Sequence, residues 1–456
     1  MTQPNANDVI VALATPPGRG AISIIRLSGS TNLRDVTGPL IDSLPPARQA
    51  TLRTLRDDTG ASFDQAIVIY FPAPRSYTGE NMVEIQTHGG EPIVSLVLKS
   101  CLAAGARLAR PGEFSERAFL NGKLDLLQAE AVADLIAAGS ERAARSAYNA
   151  MSGDFSDRVT QVSESLRELR TEIEAFIDFP DEEIPAVTIS SWADKVTGAK
   201  RLIRTLLANA RNGAKLNSGI DIAIIGSPNV GKSTLLNAFA GDEKAITSDL
   251  PGTTRDVVSV DIEYQGVNLR FHDTAGLREA PADVVEREGI KRTKAIIDKV
   301  DMCLLIREAG TPADKITPAS LGLEDQQVLR DKPYINVWNK IDIHHMEARI
   351  DATDVATDCF ISAKGHEGVK ALLDHIVSIL GLTTEDESPY IARERHVGDL
   401  TEVDELLDFD VKQAESDPEL LAEKLRIAQQ VLGRLVGEYT SEDLLGDIFS
   451  TFCIGK

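Results

Sequence analysis

Cysteine is scarce in this sequence: four in 456 residues, Cys101, Cys303, Cys359 and Cys453, with neither CxxC pairing nor framework spacing. That excludes a disulfide scaffold and fits a reducing compartment. Long apolar runs are missing as well. No stretch approaches the roughly 20 apolar residues that a membrane span requires. Residues 1–8 carry no basic charge, and the short apolar run 9–14 ends at Pro16-Pro17-Gly18. These absences argue against secretion and membrane insertion and predict a cytoplasmic protein. Basic side chains are outnumbered, 48 against 70 acidic, for a net charge of −22. A simple basic nucleic-acid binder is thereby disfavoured.

The acidic excess is unevenly placed. Residues 1–123 hold 12 Lys+Arg and 11 Asp+Glu, so the remainder, with 36 basic and 59 acidic residues, carries all of it. A chain of this length with 43% hydrophobic content can bury more than one core, and length alone suggests about three domains. From residue 7 to 111, short apolar runs such as "VIVALAT", "AISIIRLSG", "QAIVIYFPAP" and "MVEIQTHGG" are punctuated by Pro and Gly, and "PIVSLVLKSCLAAGA" is helical. This predicts an α+β domain. Beyond Leu120 the apolar spacing becomes three-to-four, through "LDLLQAEAVADLIAAGSERAARSAYNAM" and "FSDRVTQVSESLRELRTEIEAFIDF", which predicts amphipathic helices. Strand and helix then alternate from Ser218 to Leu382, implying a parallel sheet, before helical periodicity returns in "LAEKLRIAQQVLGRLVGEY". The economical reading is an α/β domain inserted into one helical domain, separate helical subdomains being the alternative. The expected partition is 1–121, 122–217, 218–382 and 383–456.

The inserted unit carries the chemistry. "GIDIAIIGSPNVGKSTLLNAFAG" places Gly226-x4-Gly231-Lys232-Ser233 between a strand and a helix, as a P-loop requires. Backbone N–H groups turn in around phosphates, Lys232 reaches the β/γ oxygens, and the Ser233 hydroxyl ligates Mg²⁺. "NLRFHDTAG" ends a strand at Asp273, suited to hold Mg²⁺ through water, with Gly276 to sense the γ-phosphate. "PYINVWNKID" ends another in Asn339-Lys340-Ile341-Asp342. The Asp342 carboxylate can accept from guanine N1–H and the 2-amino group, a donor pair adenine lacks. "DCFISAK" adds Ser362, Ala363 and Lys364, whose backbone can meet the guanine O6. Four motifs in order, each after a strand, predict a GTP site. Its expected contacts are Asn229, Val230, Gly231, Lys232, Ser233, Thr234, Ser248, Asp249, Leu250, Pro251, Gly252, Thr253, Thr254, Asp273, Thr274, Ala275, Gly276, Asn339, Lys340, Asp342, Ser362, Ala363 and Lys364.

In "TSDLPGTTRD", Thr254 is the expected Mg²⁺ ligand, with Thr253 the near alternative. Hydrolysis needs a positioned water and positive charge against the transition state. Leu277, after "DTAG", cannot orient water by a hydrogen bond, and the carboxylates of "REAPADVVEREG" cannot be told apart by spacing. The charge could come from Arg255, or from a monovalent cation caged by Asn229 and switch carbonyls.

These motifs, with "SYTGENMVEIQTHGG", "RPGEFSERAFLNGKLDLLQAEAVADLI" and the closing "FCIGK", resemble the MnmE (TrmE) family of tRNA-modification GTPases over essentially the whole chain. The resemblance implies an N-terminal tetrahydrofolate-binding and dimerisation domain, a discontinuous helical domain and an inserted Ras-like P-loop GTPase domain. It implies that Asn229 and the carbonyls of Ser248, Leu250 and Thr253 bind K⁺, which demotes Arg255. It also implies that Glu286 of "VEREG" is catalytic and acts on the attacking water through a bridging water. One more residue separates "DTAGLREA" from "VER" than in the family form. Arg26, Glu84, Lys123 and Lys456 correspond to the folate site, where a carboxylate can pair with the donor edge of a pterin and cations with its carboxylates. The implied activity is GTP hydrolysis coupled to installing an aminomethyl or carboxymethylaminomethyl group at C5 of the wobble uridine, position 34, of certain tRNAs. A 5-formyl- or 5,10-methylene-tetrahydrofolate supplies the one-carbon unit. The implied partners are a second copy in a homodimer and an FAD-dependent MnmG-type protein, together a heterotetramer. The acidic charge outside the N-terminal part suggests that much of the tRNA surface belongs to that protein.

Two other readings stand beside this one. A ribosome-assembly GTPase would usually carry an RNA-binding module such as a KH domain with its GxxG loop, and none is evident at the C-terminus. The other is a folate-dependent methyltransferase with GTP only structural. Cys101, Cys303 and Cys359 read as packing residues, whereas Cys453 has no core role, and the family resemblance makes it the candidate functional thiol.

Overall fold

Period-two burial builds the first sheet. Strands β1 (Ile10–Leu13), β2 (Ile22–Gly29), β3 (Thr51–Arg56), β4 (Ser62–Phe71), β5 (Asn81–His88) and β6 (Arg107–Leu108) form it in the order β3-β4-β5-β2-β1-β6. All pairings are antiparallel except β1 with β6. Ile25, Leu27, Val83 and Ile85 face a core shared with Val97 and Cys101 of helix Glu91–Ala103. A helix at Leu33–Ile41, where the sequence suggested only strands and turns, closes the same core with Val36 and Leu40.

The computed structural model describes residues 8–30, 33–179, 188–242, 259–273, 297, 299–311, 332–353, 357–381, 390–408, 417–439 and 441–456. Within them the chain divides into two compact units. One comprises Met1–Ile136, Tyr148–Thr205 and Gly398–Lys456, and the other Ala137–Ala147 and Leu206–Val397.

In the first unit, helices Asp154–Asp178 and Pro418–Val436 pack by the apolar stripes their sequences carry: Val159, Val162, Leu166, Leu169 and Ile173 on one, Leu421, Leu425, Ala428, Leu432 and Leu435 on the other. Asp417 caps the second helix by accepting from Leu420 N at 3.1 Å, and Gly437 ends it in the left-handed region. The last helix, Glu442–Ser450, places Ile448 and Phe449 with Phe452 against Leu126 and Ala129 of helix Leu126–Ala137. The FCIGK segment is therefore anchored by an aromatic plug.

The second unit is built on β7 (Ile220–Gly226), β8 (Ser259–Tyr264), β9 (Val267–Asp273), β10 (Met302–Glu308), β11 (Tyr334–Asn339), β12 (Arg349–Ala352) and β13 (Thr357–Phe360). Their order is β12-β13-β11-β10-β7-β9-β8, with a parallel centre and antiparallel edges. Continuous apolar runs such as Ile222–Ile225 suit strands buried on both faces. This unit also takes in residues 137–147, where Ser140 Oγ donates to Gly266 O at 2.6 Å. Among the described residues no helix is long and apolar enough to cross a membrane.

Candidate functional site

In a parallel sheet the strands' carboxyl ends share one edge, and that edge is where ligands bind. Here β7 ends at Gly226, β9 at Asp273, β11 at Asn339 and β13 at Phe360, so the strands that precede all four motifs end along one edge, with β10 ending there at Glu308.

After Gly226 the chain turns through two left-handed residues, Asn229 (φ +65°) and Gly231 (φ +99°), into helix Lys232–Asp242. Lys232 is only 5% exposed, and its Nζ donates to Gly226 O at 2.8 Å and Ser227 O at 2.7 Å. The ammonium is thus held at the loop's mouth by the loop's own carbonyls. Ser233 and Thr234 are exposed in the first helical turn. A hydroxyl there fits a hard cation, and the exposed Asn229 side chain fits a monovalent one, both being oxygen donors.

Asn339 joins the two halves of the site. Its Nδ2 donates to Val230 O at 2.8 Å, and its Oδ1 accepts from Ala363 N at 2.9 Å. It is 2% exposed, so both bonds are shielded from water. Asp342 sits in the short helix Ile341–His344, and its Oδ1 accepts from Ser362 Oγ at 2.8 Å. Ser362 Oγ accepts in turn from Gly365 N at 3.0 Å. The structure thereby brings Val230, Asn339, Asp342, Ser362 and Ala363 into one bonded set, leaving Lys364 exposed beside it.

Glu308 belongs to this edge and escaped the sequence reading. It lies in register with Asn339 across β10 and β11, and its Oε2 accepts from Lys340 Nζ at 2.8 Å. Lys340, left-handed at φ +69°, holds the Glu308 carboxyl below its ordinary range through that hydrogen bond. The rule that ligands gather at strand carboxyl ends would have singled out a carboxylate closing "CLLIRE".

Several predicted residues lie outside the described ones: Ser248, Asp249, Leu250, Pro251, Gly252, Thr253, Thr254, Arg255, Thr274, Ala275, Gly276, Leu277 and Glu286. Asp273 is described as the last residue of β9.

A second cluster lies in the first unit. Arg26 and Glu84 face each other across β2 and β5, and Arg26 Nε donates to Glu84 Oε1 at 3.0 Å. The guanidinium lies 5.6 Å from the Tyr77 ring centroid and 5.7 Å from that of Phe114, two residues inside quoted motifs that the sequence does not itself single out for the site. Arg26 Nη1 also donates to Gly455 O at 3.1 Å, and Phe114 N donates to Lys456 O at 3.2 Å. The Lys456 ammonium is half-buried and its pKa is lowered, first by desolvation and then by Arg26, with Glu84 and Cys453 opposing. Cations, one carboxylate and aromatic rings fit a pterin bearing carboxylates. Lys123 is exposed, with its stem beside Gly79, and no hydrogen bond or ion pair among the described residues brings it to Arg26 or Glu84. Cys453 is exposed, whereas Cys101, Cys303 and Cys359 are buried with thiols pushed by desolvation to about 12.

Residues 126–453 match the family model described as the MnmE helical domain, and residues 9–123 match that described as the GTP-binding protein TrmE N-terminus. The tRNA modification GTPase MnmE of Nitrosomonas eutropha is 44% identical over 99% of both chains. That of Nitrosomonas europaea is 44% identical over 99% of this chain and 100% of its own. Among solved structures, the G domain of the FeoB iron transporter of T. maritima aligns at 24% identity and a TM-score of 0.26, over 35% of this chain and 97% of its own.

Proposed function

The chain belongs to the MnmE family of tRNA modification GTPases, and from that membership we propose that it couples GTP hydrolysis to building the C5 substituent of the wobble uridine in tRNA. It is a GTP-hydrolysing enzyme of mixed α/β fold. The observation that carries the nucleotide assignment is the Asn339 bridge, because one buried amide joins the phosphate-facing loop at Val230 to the base-facing loop at Ala363. In this reading Asp342 pairs with the guanine donor edge and Ser362 orients it by the hydrogen bond between them. Lys232, already at the P-loop mouth, receives the β/γ oxygens. Ser233 and Thr254 would hold Mg²⁺, and Asn229 with the carbonyls of Ser248, Leu250 and Thr253 would hold K⁺, each of which would supply positive charge against the phosphates. Glu286 accepts a proton from the attacking water through a second water. The new bond joins the water oxygen to the γ-phosphorus as the β–γ bridging P–O bond breaks.

The second half of the proposal concerns the cluster at Arg26. Arg26, Glu84, Lys123 and Lys456 hold a tetrahydrofolate one-carbon donor, which supplies the carbon transferred to uridine. The docked tail supports this reading, since it sets Gly455 and Lys456 beside the Arg26–Glu84 pair and leaves the Cys453 thiol open. An FAD-dependent MnmG-type protein supplies the redox step, and two copies of this chain pair through residues 1–121. The partition into 122–217, 218–382 and 383–456 belongs to the same proposal, as does a cytoplasmic location. Mass spectrometry of tRNA nucleosides from cells lacking this protein tests the function. Loss of the C5 substituent at position 34 is expected; an intact substituent overturns the proposal.

A further inference from the structure

A groove of about 430 Å³ runs along the seam between helices Asp154–Asp178 and Pro418–Val436. Its volume falls in the range of about 300–1,000 Å³ usual for small-molecule sites. Arg167, Arg170, Arg426 and Gln430 line it, with Tyr439 at one end. The Tyr439 ring takes the space that a side chain at Gly433 would fill, so the ring packs against the helix at that glycine. The residue is nevertheless 58% exposed, leaving an aromatic surface open beside the guanidinium groups.

The lining sets three arginines against two carboxylates, Glu164 and Glu438, while Glu174 and Glu423 pair with Arg170 and Arg426 from outside it. The arginines' present partners can be exchanged. Arg167 meets Glu164 at 3.5 Å and Arg426 meets Glu423 at 2.7 Å, all four side chains being more than two-fifths exposed. Arg170 donates to Gln429 at 2.7 Å and lies 3.3 Å from Glu174. The single exposed Arg167–Glu164 contact contributes little, and at Arg426 a phosphate can take the place of the carboxylate in its two-bond fork with Glu423.

We propose that this groove receives an unpaired nucleotide of the RNA substrate, its base stacked on Tyr439 and its flanking phosphates on Arg167 and Arg426. The inference rests on the tRNA-modification reading for its choice of ligand. Unpaired bases are bound by aromatic stacking, backbone phosphates by guanidinium forks, and base edges by amides such as Gln430. An acidic protein segment would use the arginines but would leave the supported ring unused. The acidic surroundings make this a local contact rather than a broad docking surface.

The test uses the full chain and a fluorescein-labelled single-stranded oligouridylate, with a duplex RNA of equal length as control. Tyr439→Ala is expected to weaken oligouridylate binding by about 5- to 150-fold, the usual effect of losing one stacking contact, and to leave duplex binding unchanged. The double variant Arg167→Glu/Arg426→Glu is expected to lower the salt dependence by about 1.4 log units per log unit of salt, as for two lost phosphate contacts on a single strand. GTP turnover of each variant serves as the check of folding and is expected to match the parent chain. Undetectable binding by the parent chain at low salt overturns the proposal, as does equal affinity of parent and variants. Loss of binding to the MnmG-type protein with oligouridylate affinity intact makes the groove a protein interface and overturns it too. An intact C5 substituent in cells lacking the protein removes the parent reading but not an affinity change already measured; insensitive variants alongside a lost substituent remove the groove alone.

Discussion

Arg26 Nη1 donates to the carbonyl oxygen of Gly455 at 3.1 Å, joining a strand near one end of the chain to its closing motif, 429 residues away. Gly455 is left-handed at φ +96°, and a Cβ there would press on Leu13 O. The glycine of FCIGK thus permits a close backbone approach that another residue would prevent. Gly455→Ala is expected to release the tail, at about 1–2 kcal/mol for the left-handed conformation before any clash. Hydrogen exchange over residues 451–456 should rise and wobble-uridine modification should fall, with GTP turnover unchanged. Raised exchange over these residues with modification at the parental level would separate tail docking from the one-carbon chemistry.

Asn339 makes a comparable prediction in the second unit. Asn339→Ala leaves the Val230 carbonyl and the Ala363 N–H without their shared partner. Each orphaned buried group costs about 1–3 kcal/mol. GTP affinity, measured by isothermal titration, should fall at least about tenfold, since roughly 1.4 kcal/mol is one decade. An unchanged affinity would mean that the two loops hold their places without the amide.

Much of this site could be read from the sequence because P-loop, Asn-Lys-x-Asp and Ser-Ala-Lys motifs are contiguous, and the P-loop follows an uninterrupted apolar run, "IAII". Local patterning also located the long helices. What it could not supply is pairing across distance. Arg26 and Glu84 are 58 residues apart, and only the β2–β5 register makes them neighbours. Glu308 likewise becomes a partner of Lys340 only once β10 and β11 are aligned, and Tyr77 and Phe114 reach Arg26 from a loop and a helix. Tertiary register, rather than propensity, decides such contacts.

Hydrolysis itself gives a third test. If Glu286 accepts the water's proton and a caged cation supplies charge, then Glu286→Ala should lower GTP turnover by about 10²–10⁴-fold, the usual worth of a general base, while nucleotide affinity is kept. Turnover should also be faster in K⁺ than in Na⁺ at equal ionic strength. Stopped-flow phosphate release reads both, and equal rates in the two salts would return the charge to a side chain such as Arg255.

The last prediction concerns acid stability. Glu113 is 2% exposed. Burial alone would raise its pKa, but hydrogen bonds from Arg107 and from the Arg110 backbone, with the charges of Arg107 and Arg117, bring it down to about 2. Arg107 Nη2 meets its Oε1 at 2.5 Å, and Arg117 links it to Glu80, whose Oε2 accepts at 3.0 Å. The folded pKa lies below the unfolded one, near 4.5. The group therefore contributes its full stability above about pH 4.5 and loses it as pH falls toward 2. With Arg107 partly open to solvent, that contribution is on the order of 2–3 kcal/mol. Glu113→Gln should lower the denaturation midpoint at neutral pH and flatten its dependence on pH between about 4.5 and 2. Parallel pH profiles for parent and variant would show that the network carries no such linkage. A lower midpoint with a flattened profile would instead place the acid sensitivity of the first unit in the same helix, Glu113–Leu120, whose first turn receives the tail.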